Sequence, residues 1–260
     1  MAERLGHTIV KLRPSLVPLE VREKDQIRDL HGISLKDVRI TSFACSADDI
    51  RTRDIPRSDT GRGLSGKKVR RPLIESRTGA LVFTHYGISG PAILLMSLAV
   101  ASALEQGPVS LTIDMVPGKD HSQLKEELQH EFGRHGSRYV HTILENLVPS
   151  RLAGLLLKTA GIAPDKISNQ VSVAERENIV SRLNDFRFNV SRTRPLAEAM
   201  VTAGGVCIEE VNPRTMESKL VKGLYFCGEL LDIDADTGGF NLQAAFSTGY
   251  LAGESAARSI

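Results

Sequence analysis

Thr237, Gly238 and Gly239 form the segment whose residue types best suit the binding of a cofactor. They come directly before residues 240–253, where alanine, serine, threonine and glycine leave little side-chain bulk. Glycines at a helix start remove Cβ obstruction, and the free N–H groups there favour a flat or anionic ligand. We therefore predict a helix in this region, with Asn241 as its N-cap and a cofactor at its start. The alternative is tight packing of the helix on a sheet without a ligand.

Two further glycine-bearing segments precede this helix in the sequence. Gly223 leads into the apolar run 224–227, which predicts a short strand that ends at Gly228 and is followed by Glu229. Residues 202–206 read Thr-Ala-Gly-Gly-Val, and taken alone they are compatible with a turn between strands.

Residues 61–66, Gly-Arg-Gly-Leu-Ser-Gly, match the dinucleotide-binding pattern G-x-G-x-x-G. That pattern works only between a buried strand and a helix, because the helix start must receive the pyrophosphate. The residues before the match are polar and interrupted by Pro56, and Pro72 stops a helix soon after it. We therefore interpret the match as accidental, in a flexible loop whose basic residues are solvated: Arg62, Lys67, Lys68, Arg70 and Arg71.

Composition and charge exclude several classes of partner. The chain has 260 residues and a net charge of +2 from 33 basic and 31 acidic side chains, so no overall field points to nucleic acid or to an anionic membrane. The apolar stretch 92–104 is too short to cross a bilayer, and the amino terminus has no secretory pattern. The sequence thus predicts no nucleic-acid partner and no membrane.

Cysteines and histidines argue for a reducing compartment and against a metal site. The three cysteines form no C-x-x-C pair and leave an odd number, which favours reduced thiols in the cytoplasm. His130, His135 and His141 do not have the spacing that would place ligands on one helical face. We predict no metal.

Short strand patterns in the first 115 residues predict a small barrel or sandwich, with a hairpin turn at residues 76–79 and a helix over 89–104 that has Pro91 in its first turn. From about 119 to 185 the pattern becomes helical, as in Leu124, Leu128 and Phe132. Ser172 and Glu175 predict a capping box, and strand character returns near 186.

Three segments resemble the signature regions of the YhiN/BaiN-like flavoproteins, the group that includes aminoacetone oxidase-like FAD-binding oxidoreductases. They are VTAGGV at 201–206, NPRTMESKLVKGLYFCGELLDIDADTGGFNLQAAFSTGYLAG at 212–253, and LVFTHYGISGPAIL at 81–94. The resemblance implies a mixed α+β and α/β fold. It would combine a β-barrel-like middle domain, an inserted helical subdomain and the carboxyl-terminal part of a Rossmann-type FAD-binding domain.

The implied boundaries are 1–16 for the end of the FAD-binding lobe, 17–117 with 186–195 for the barrel, 118–185 for the helical insert, and 196–260 for the remainder of the FAD-binding domain. Members of the group carry a strand, a glycine-rich turn and a helix for the ADP half of FAD near their amino terminus. This sequence begins where that lobe should be finishing. The resemblance therefore implies that the lobe is missing here, and we consider it a separately encoded partner.

The resemblance also implies roles for individual residues. Gly228 and Glu229 would end a strand beneath the cofactor, with Glu229 near its ribityl or pyrophosphate oxygens. Gly204 and Gly205 would let the chain pass close to the isoalloxazine. Backbone N–H groups would face the flavin pyrimidine edge, where helix-end polarity favours the reduced anionic flavin, from Thr237, Gly238, Gly239, Asn241, Leu242 and Gln243.

His85 and Tyr86 lie between a predicted strand and a predicted helix, a usual place for site residues. Either could transfer a proton or orient a substrate; the alternative for His85 is a hydrogen bond within its own turn.

The implied activity is that of an FAD-dependent oxidoreductase, or the carboxyl-terminal portion of one. It would transfer hydride between a small organic substrate and flavin, with NADH or NADPH as a further partner. The alternative is a truncated, non-catalytic remnant that cannot bind FAD alone. A nucleic-acid-binding module built on the basic loop is a third hypothesis, and the near-neutral net charge argues against it.

Overall fold

The computed structural model describes residues 1–51 and 72–259, so the glycine pattern at 61–66 and its basic neighbours lie outside the described residues. The chain divides into two compact units, each described by itself. The first unit consists of Met1–Pro18, Leu94–Ala101 and Thr193–Ile260, and the second of Leu19–Ile93 and Ser102–Arg192. The predicted domain boundaries stay a prediction.

The elements are numbered in chain order. The strands are β1 (Ile9–Ser15), β2 (Leu19–Val21), β3 (Ser34–Phe43), β4 (Leu73–Phe83), β5 (Gly87–Ser89), β6 (Val109–Asp114), β7 (Phe186–Thr193) and β8 (Val201–Val206). The helices are α1 (Lys24–Arg28), α2 (Pro91–Leu104), α3 (His121–Arg134), α4 (Val140–Leu144), α5 (Ser150–Thr159), α6 (Val173–Asn184) and α7 (Gly238–Arg258).

The strands of the second unit form a closed barrel, with strand order β2-β5-β4-β3-β6-β7. Strand β3 pairs antiparallel with both β4 and β6. The barrel buries aromatic rings from distant parts of the chain, and Phe83 contacts Phe188 edge to face with ring centroids 6.3 Å apart. This agrees with the predicted barrel and mixed fold class.

The predicted turn at residues 76–79 is wrong, because these residues lie inside the continuous strand β4. Thr78 and Gly79 pair with Arg39 and Val38 of β3. Gly79 suits this position because a Cβ there would lie 3.3 Å from the Cβ of Ala92. The glycine therefore serves close packing, and the β4–β5 hairpin turns later, between Phe83 and Gly87.

The helical predictions are confirmed where the pattern was periodic. In α3, Leu124, Leu128 and Phe132 are all buried. The capping box of α6 forms as predicted, because Ser172 Oγ accepts from the Glu175 N–H at 3.2 Å and a Glu175 carboxylate oxygen accepts from the Ser172 N–H at 2.9 Å. Helix α2 begins with Pro91 in its first turn.

In the first unit, β1 and β8 form a two-stranded antiparallel ribbon, so residues 202–206 are strand and not a turn. The strand predicted over 224–227 is wrong: Tyr225 makes only an isolated bridge to Glu217. Its apolar side chains are used for packing, since Phe226 joins a small core with Val206 and Met216. Among the described residues, no helix is both long and apolar enough to span a membrane.

Gly87 should be essential for barrel closure. A Cβ at this position would lie 2.1 Å from the carbonyl oxygen of Leu19 in β2, so the pairing of β2 with β5 has no room for a side chain. We expect Gly87→Ala to lower the free energy of unfolding by about 2 kcal/mol or more. Gly107→Ala is the matched control, because a Cβ at Gly107 meets open space. Equal urea-unfolding midpoints for the two variants would contradict this role.

Candidate functional site

The predicted cofactor residues of the first unit are assembled from β8, a short 3₁₀ turn at Gly228–Leu230, an acidic loop at 232–236 and the start of α7. Backbone contacts hold these pieces together. The Asp232 N–H donates to the Val206 carbonyl at 3.0 Å, and Val206 forms a parallel bridge with Leu231. Residues far apart in sequence thus meet along one side of β8.

Gly204 and Gly205 are required by contacts inside the protein. Both have positive φ, 92° and 140°. A Cβ on Gly204 would lie 2.4 Å from the Lys11 carbonyl oxygen, and one on Gly205 would lie 2.5 Å from the Leu230 carbonyl oxygen. The close approach in the structure is therefore to the chain's own backbone, and an approach to the isoalloxazine stays a prediction.

Gly228 and Glu229 lie in the 3₁₀ turn, at the place where the end of a strand was predicted. Gly228 has a φ of 68°, and its N–H donates to Thr248 Oγ1 of α7 at 3.0 Å. The Glu229 carboxylate accepts from the Thr202 N–H of β8 at 3.3 Å. These bonds fix the turn between the ribbon and the helix, and the role of Glu229 toward a cofactor stays a prediction.

Thr237, and not Asn241, is the N-cap of α7, because Thr237 Oγ1 accepts from the Phe240 N–H at 3.5 Å. Asn241 lies one turn inside the helix and is buried. Its Nδ2 donates to the carbonyls of Ala235 and Thr237 at 2.8 and 3.0 Å, and its Oδ1 accepts from the Ala235 N–H at 3.1 Å. Asn241 therefore holds the loop before the helix in a fixed conformation.

The start of α7 has space in front of it. A Cβ on Gly238 would meet no atom within 4 Å beyond its chain neighbours, and one on Gly239 would meet only Thr237 Oγ1 at 3.9 Å. The N–H groups of these glycines occupy the first two helical positions, where no intrahelical acceptor exists. Open space next to outward-facing donors is what the edge of a planar, electron-rich ring requires.

Helix α7 exposes an apolar face that the sequence prediction missed. Leu242, Phe246 and Tyr250 recur every four residues and so share one side of the helix. Their exposed fractions are 59%, 71% and 74%. A surface helix normally turns such a stripe toward the core, so this face is suited to packing against another polypeptide. The spacing was visible in the sequence, but only the structure shows on which side the helix is buried.

His85 and Tyr86 belong to the second unit, where they lie with Thr84 in the turn between β4 and β5. Their rings meet edge to face with centroids 4.7 Å apart. The turn is closed by Thr84, whose N–H donates to the Gly87 carbonyl at 2.8 Å and whose Oγ1 accepts from the Gly87 N–H at 3.1 Å. The predicted functions of His85 and Tyr86 stay predictions.

A serine, a histidine and a glutamate of the first unit are connected like a catalytic triad, an arrangement that sequence spacing did not reveal. His7 Nε2 lies 2.9 Å from Ser218 Oγ, and His7 Nδ1 lies 3.2 Å from the Glu210 carboxylate. Ser218 and His7 are both buried, and Ser218 Oγ already accepts from the backbone N–H groups of Leu220 and Val221. Because no substrate can reach this oxygen, the arrangement ties the amino terminus to the 210–221 segment.

Electrostatics at the site are dominated by carboxylates. Partial removal from water raises the pKa of Asp234, and the nearby Asp236 and Asp232 carboxylates raise it further against a hydrogen bond from Ser15. Hydrogen bonds from Thr8 lower the pKa of Glu210. No group of three or more potential metal ligands occurs in the part of the chain that the structure describes, 1–51 and 72–259.

The raised pKa of Asp234 predicts how the free energy of unfolding changes with pH. A carboxyl that binds its proton more tightly when folded stabilises the protein less as the pH rises from the unfolded pKa through the folded pKa. Asp234→Asn should remove this loss while keeping an acceptor for Ser15. We expect the variant to be at least as stable as wild type at neutral pH and to lose its advantage in acid. Urea unfolding at several pH values measures this, and a constant difference at all pH values would contradict it.

Comparisons with known proteins agree with this architecture. Residues 63–201 match the family described as HI0933-like protein barrel and H2TH domain. A ribosomal RNA dihydrouridine synthase of Haemophilus influenzae is 33% identical over 251 residues, which cover 96% of this chain and 53% of that protein. A 3-dehydro-bile acid delta(4,6)-reductase of Clostridium scindens is 29% identical over 258 residues, covering 99% of this chain and 56% of that protein.

A ribosomal RNA dihydrouridine synthase of Escherichia coli is 35% identical over 170 residues, or 65% of this chain and 40% of that protein. The chain thus spans about half the length of the first two relatives. Two of these relatives are named as synthases and one as a reductase, and the predicted resemblance is confirmed. With its barrel and helices matched by the family description, the chain belongs to the HI0933-like family.

Proposed function

We propose that this chain forms the ring-binding part of an FAD-dependent reductase that saturates a carbon–carbon double bond conjugated with a carbonyl group. The observation that carries the proposal is the open start of α7, where Gly238 and Gly239 combine free space with outward-facing N–H groups. NADH or NADPH would be the source of electrons. The proposed site is in the first unit.

The names of the relatives support one common chemistry. Dihydrouridine is uridine with two hydrogens added across a double bond conjugated with a carbonyl. A delta(4,6) double-bond system next to a 3-oxo group is conjugated in the same way. In both reactions a hydride adds to one carbon and a proton to the other. Each turnover therefore consumes two electrons and two protons in total, of which the hydride carries both electrons and one proton. We infer the same reaction type for this chain, with a small organic molecule or a nucleobase as substrate.

The chain's own residues would bind and orient the cofactor. The N–H groups of Gly238 and Gly239 would donate to the pyrimidine edge of the flavin, and the partial positive charge of the helix start would stabilise negative charge there. Asn241 would keep the preceding loop in place through its three hydrogen bonds. When bound, FAD would supply the hydride. His85 and Tyr86 belong to the second unit, and their predicted role in proton transfer stays a prediction.

The exposed apolar face of α7 supports the proposal that a second polypeptide surface packs against this helix in the working enzyme. About half of each of the first two relatives lies outside the matched region. We propose that a lobe binding the ADP half of FAD covers Leu242, Phe246 and Tyr250, whether it belongs to the same or to a separately encoded chain. This lobe would also shield the flavin ring from water.

Replacement of Gly239 tests the cofactor site. We expect the wild-type chain to bind added FAD, and Gly239→Val to weaken the binding at least tenfold, about 1.4 kcal/mol, because a branched side chain would occupy the open space. Flavin absorbance and quenching of flavin fluorescence measure binding. Gly133→Val is the matched control, since Gly133 is also a helical glycine with open space around its Cβ.

Two results would contradict the proposal. A wild-type chain that rejects added FAD would favour the non-catalytic remnant. Equal FAD affinity for Gly239→Val and Gly133→Val would show that the ring binds elsewhere.

A further inference from the structure

A cleft in the second unit lies between the barrel and the helices inserted into it. Its volume is about 880 Å³, which falls in the range of small-molecule binding sites. Strands β3 and β6 line it with Arg39 and Asp114, the start of α3 with His121, and the end of α6 with Ser181 and Asn184. The cleft therefore combines room for an organic molecule with a polar lining.

Arg39 and Asp114 face each other across β3 and β6 in a loose ion pair. They are partners in the strand register, and Arg39 is buried. Arg39 Nη1 lies 3.8 Å from Asp114 Oδ2, whereas Arg39 Nη2 donates to the Pro117 carbonyl at 3.2 Å. A buried ion pair adds stability only when its geometry is close and its charges are well hydrogen-bonded. Stability alone therefore does not explain why this pair lies here.

Asp114 and Asn184 present two acceptor atoms that the described residues leave without a hydrogen-bond donor. Asp114 Oδ1 accepts from the Val116 N–H at 3.0 Å and from Asn184 Nδ2 at 3.1 Å. No donor of the described residues lies within hydrogen-bond distance of Asp114 Oδ2 or of Asn184 Oδ1, and the latter atom is buried. Removal from water raises the pKa of the Asp114 carboxyl, although the two hydrogen bonds to Oδ1 act to lower it. The two atoms are therefore complementary to a hydrogen-bond donor.

The charges that line the cleft favour a cation over an anion or a neutral ligand. With His121 neutral, three cations stand against four carboxylates: Arg39, Lys119 and Arg187 against Asp114, Asp120, Glu177 and Asp185. Lys125 Nζ lies 2.7 Å from Glu177, and Arg187 Nη2 lies 2.5 Å from Asp185, so these two carboxylates already have close cationic partners. Asp120 caps the start of α3, where its negative charge opposes an anion. A cation is therefore most needed at Asp114.

A metal ion suits the cleft less well than an organic cation. Metal ions in proteins are held by several oxygen, nitrogen or sulfur atoms, and no cluster of three or more potential ligands is present in residues 1–51 and 72–259. A primary ammonium group carries three N–H donors and a compact charge, so a few acceptors are sufficient to hold it. The volume of the cleft leaves room for an attached carbon chain.

We propose that the cleft binds a primary amine, whose ammonium group donates to Asp114 Oδ2 and Asn184 Oδ1. Ser181 precedes Asn184 by three residues and so lies on the same face of α6, where its Oγ supplies a third acceptor. A carboxylate can accept about four hydrogen bonds, so Asp114 can bind the ammonium group beside Arg39. This inference goes beyond the proposed function, because it uses no residue of the proposed cofactor site.

Three probes of equal chain length test which property of the ligand is recognised. They are putrescine, the corresponding diol, and hexamethylated putrescine, which keeps both charges but has no N–H donor. Isothermal titration calorimetry on the 260-residue chain measures their affinities. We expect putrescine to bind about tenfold more tightly than either of the other two, because it alone offers both charge and donors. In NMR spectra, putrescine should shift the side-chain amide signals of Asn184, and the diol should not.

Substitution of Asp114 tests the site itself. Asp114→Asn removes the charge but keeps an oxygen for the Val116 N–H, so we expect putrescine to bind about tenfold more weakly. Asn184→Ala should also weaken binding, because it removes the second acceptor. Asp165→Asn is the matched control, since Asp165 is exposed and lies outside the lining of the cleft, and its substitution removes the same charge. Thermal melts establish that each variant is folded.

Three results would overturn the proposal. They are a wild-type chain that does not bind putrescine, equal affinity for putrescine and either of the other probes, and an Asp114→Asn variant that behaves like Asp165→Asn. If Asp114→Asn does not fold, the wild-type chain decides the question. Asn184 side-chain signals that stay unchanged at saturating putrescine would then overturn the site.

Discussion

Backbone segments in this protein approach each other so closely that a single Cβ would separate them. Gly204 and Gly205 let β8 lie between Lys11 and the Leu230 turn, and Gly87 does the same for the seam between β2 and β5. In the first unit, the contact of β8 with Leu230 positions residues 228–232. The acidic loop then connects these residues to the start of α7. The candidate site therefore depends on the absence of side chains at β8, although those glycines face protein and not open space.

The glycines of α7 have the opposite environment. Gly238 and Gly239 have open space where a Cβ would lie. Three aspartates precede them, Asp232, Asp234 and Asp236. Negative charge at this position opposes a pyrophosphate more than it opposes the edge of a ring with its own hydrogen-bond acceptors. The three carboxylates thus make the helix start unfavourable for a pyrophosphate.

Exposed aromatic residues occur on two surfaces of the described chain. On α7, Phe246 and Tyr250 are largely exposed, on the side of the helix turned away from its buried Asn241 and Ala252. In the second unit, the His85 ring meets the rings of His31 and Tyr86 edge to face. Each surface gains nothing from exposure in the isolated chain, because apolar and aromatic groups stabilise proteins when they are covered.

The sequence by itself determined the family, the barrel with its helical insert and the periodic helices, since capping residues and helical spacing act over a few positions. It misassigned the turn at 76–79, the strand at 224–227 and the N-cap of α7. In each case the residue type was interpreted locally, whereas its role depends on a contact. Gly79 packs closely against Ala92, Phe226 packs in a core built from distant segments, and Asn241 donates to the carbonyl of Ala235. Only the tertiary structure decided which glycines face protein and which face open space, and which histidine lies beside His85. Those facts depend on contacts between residues far apart in the chain, and no local pattern encodes them.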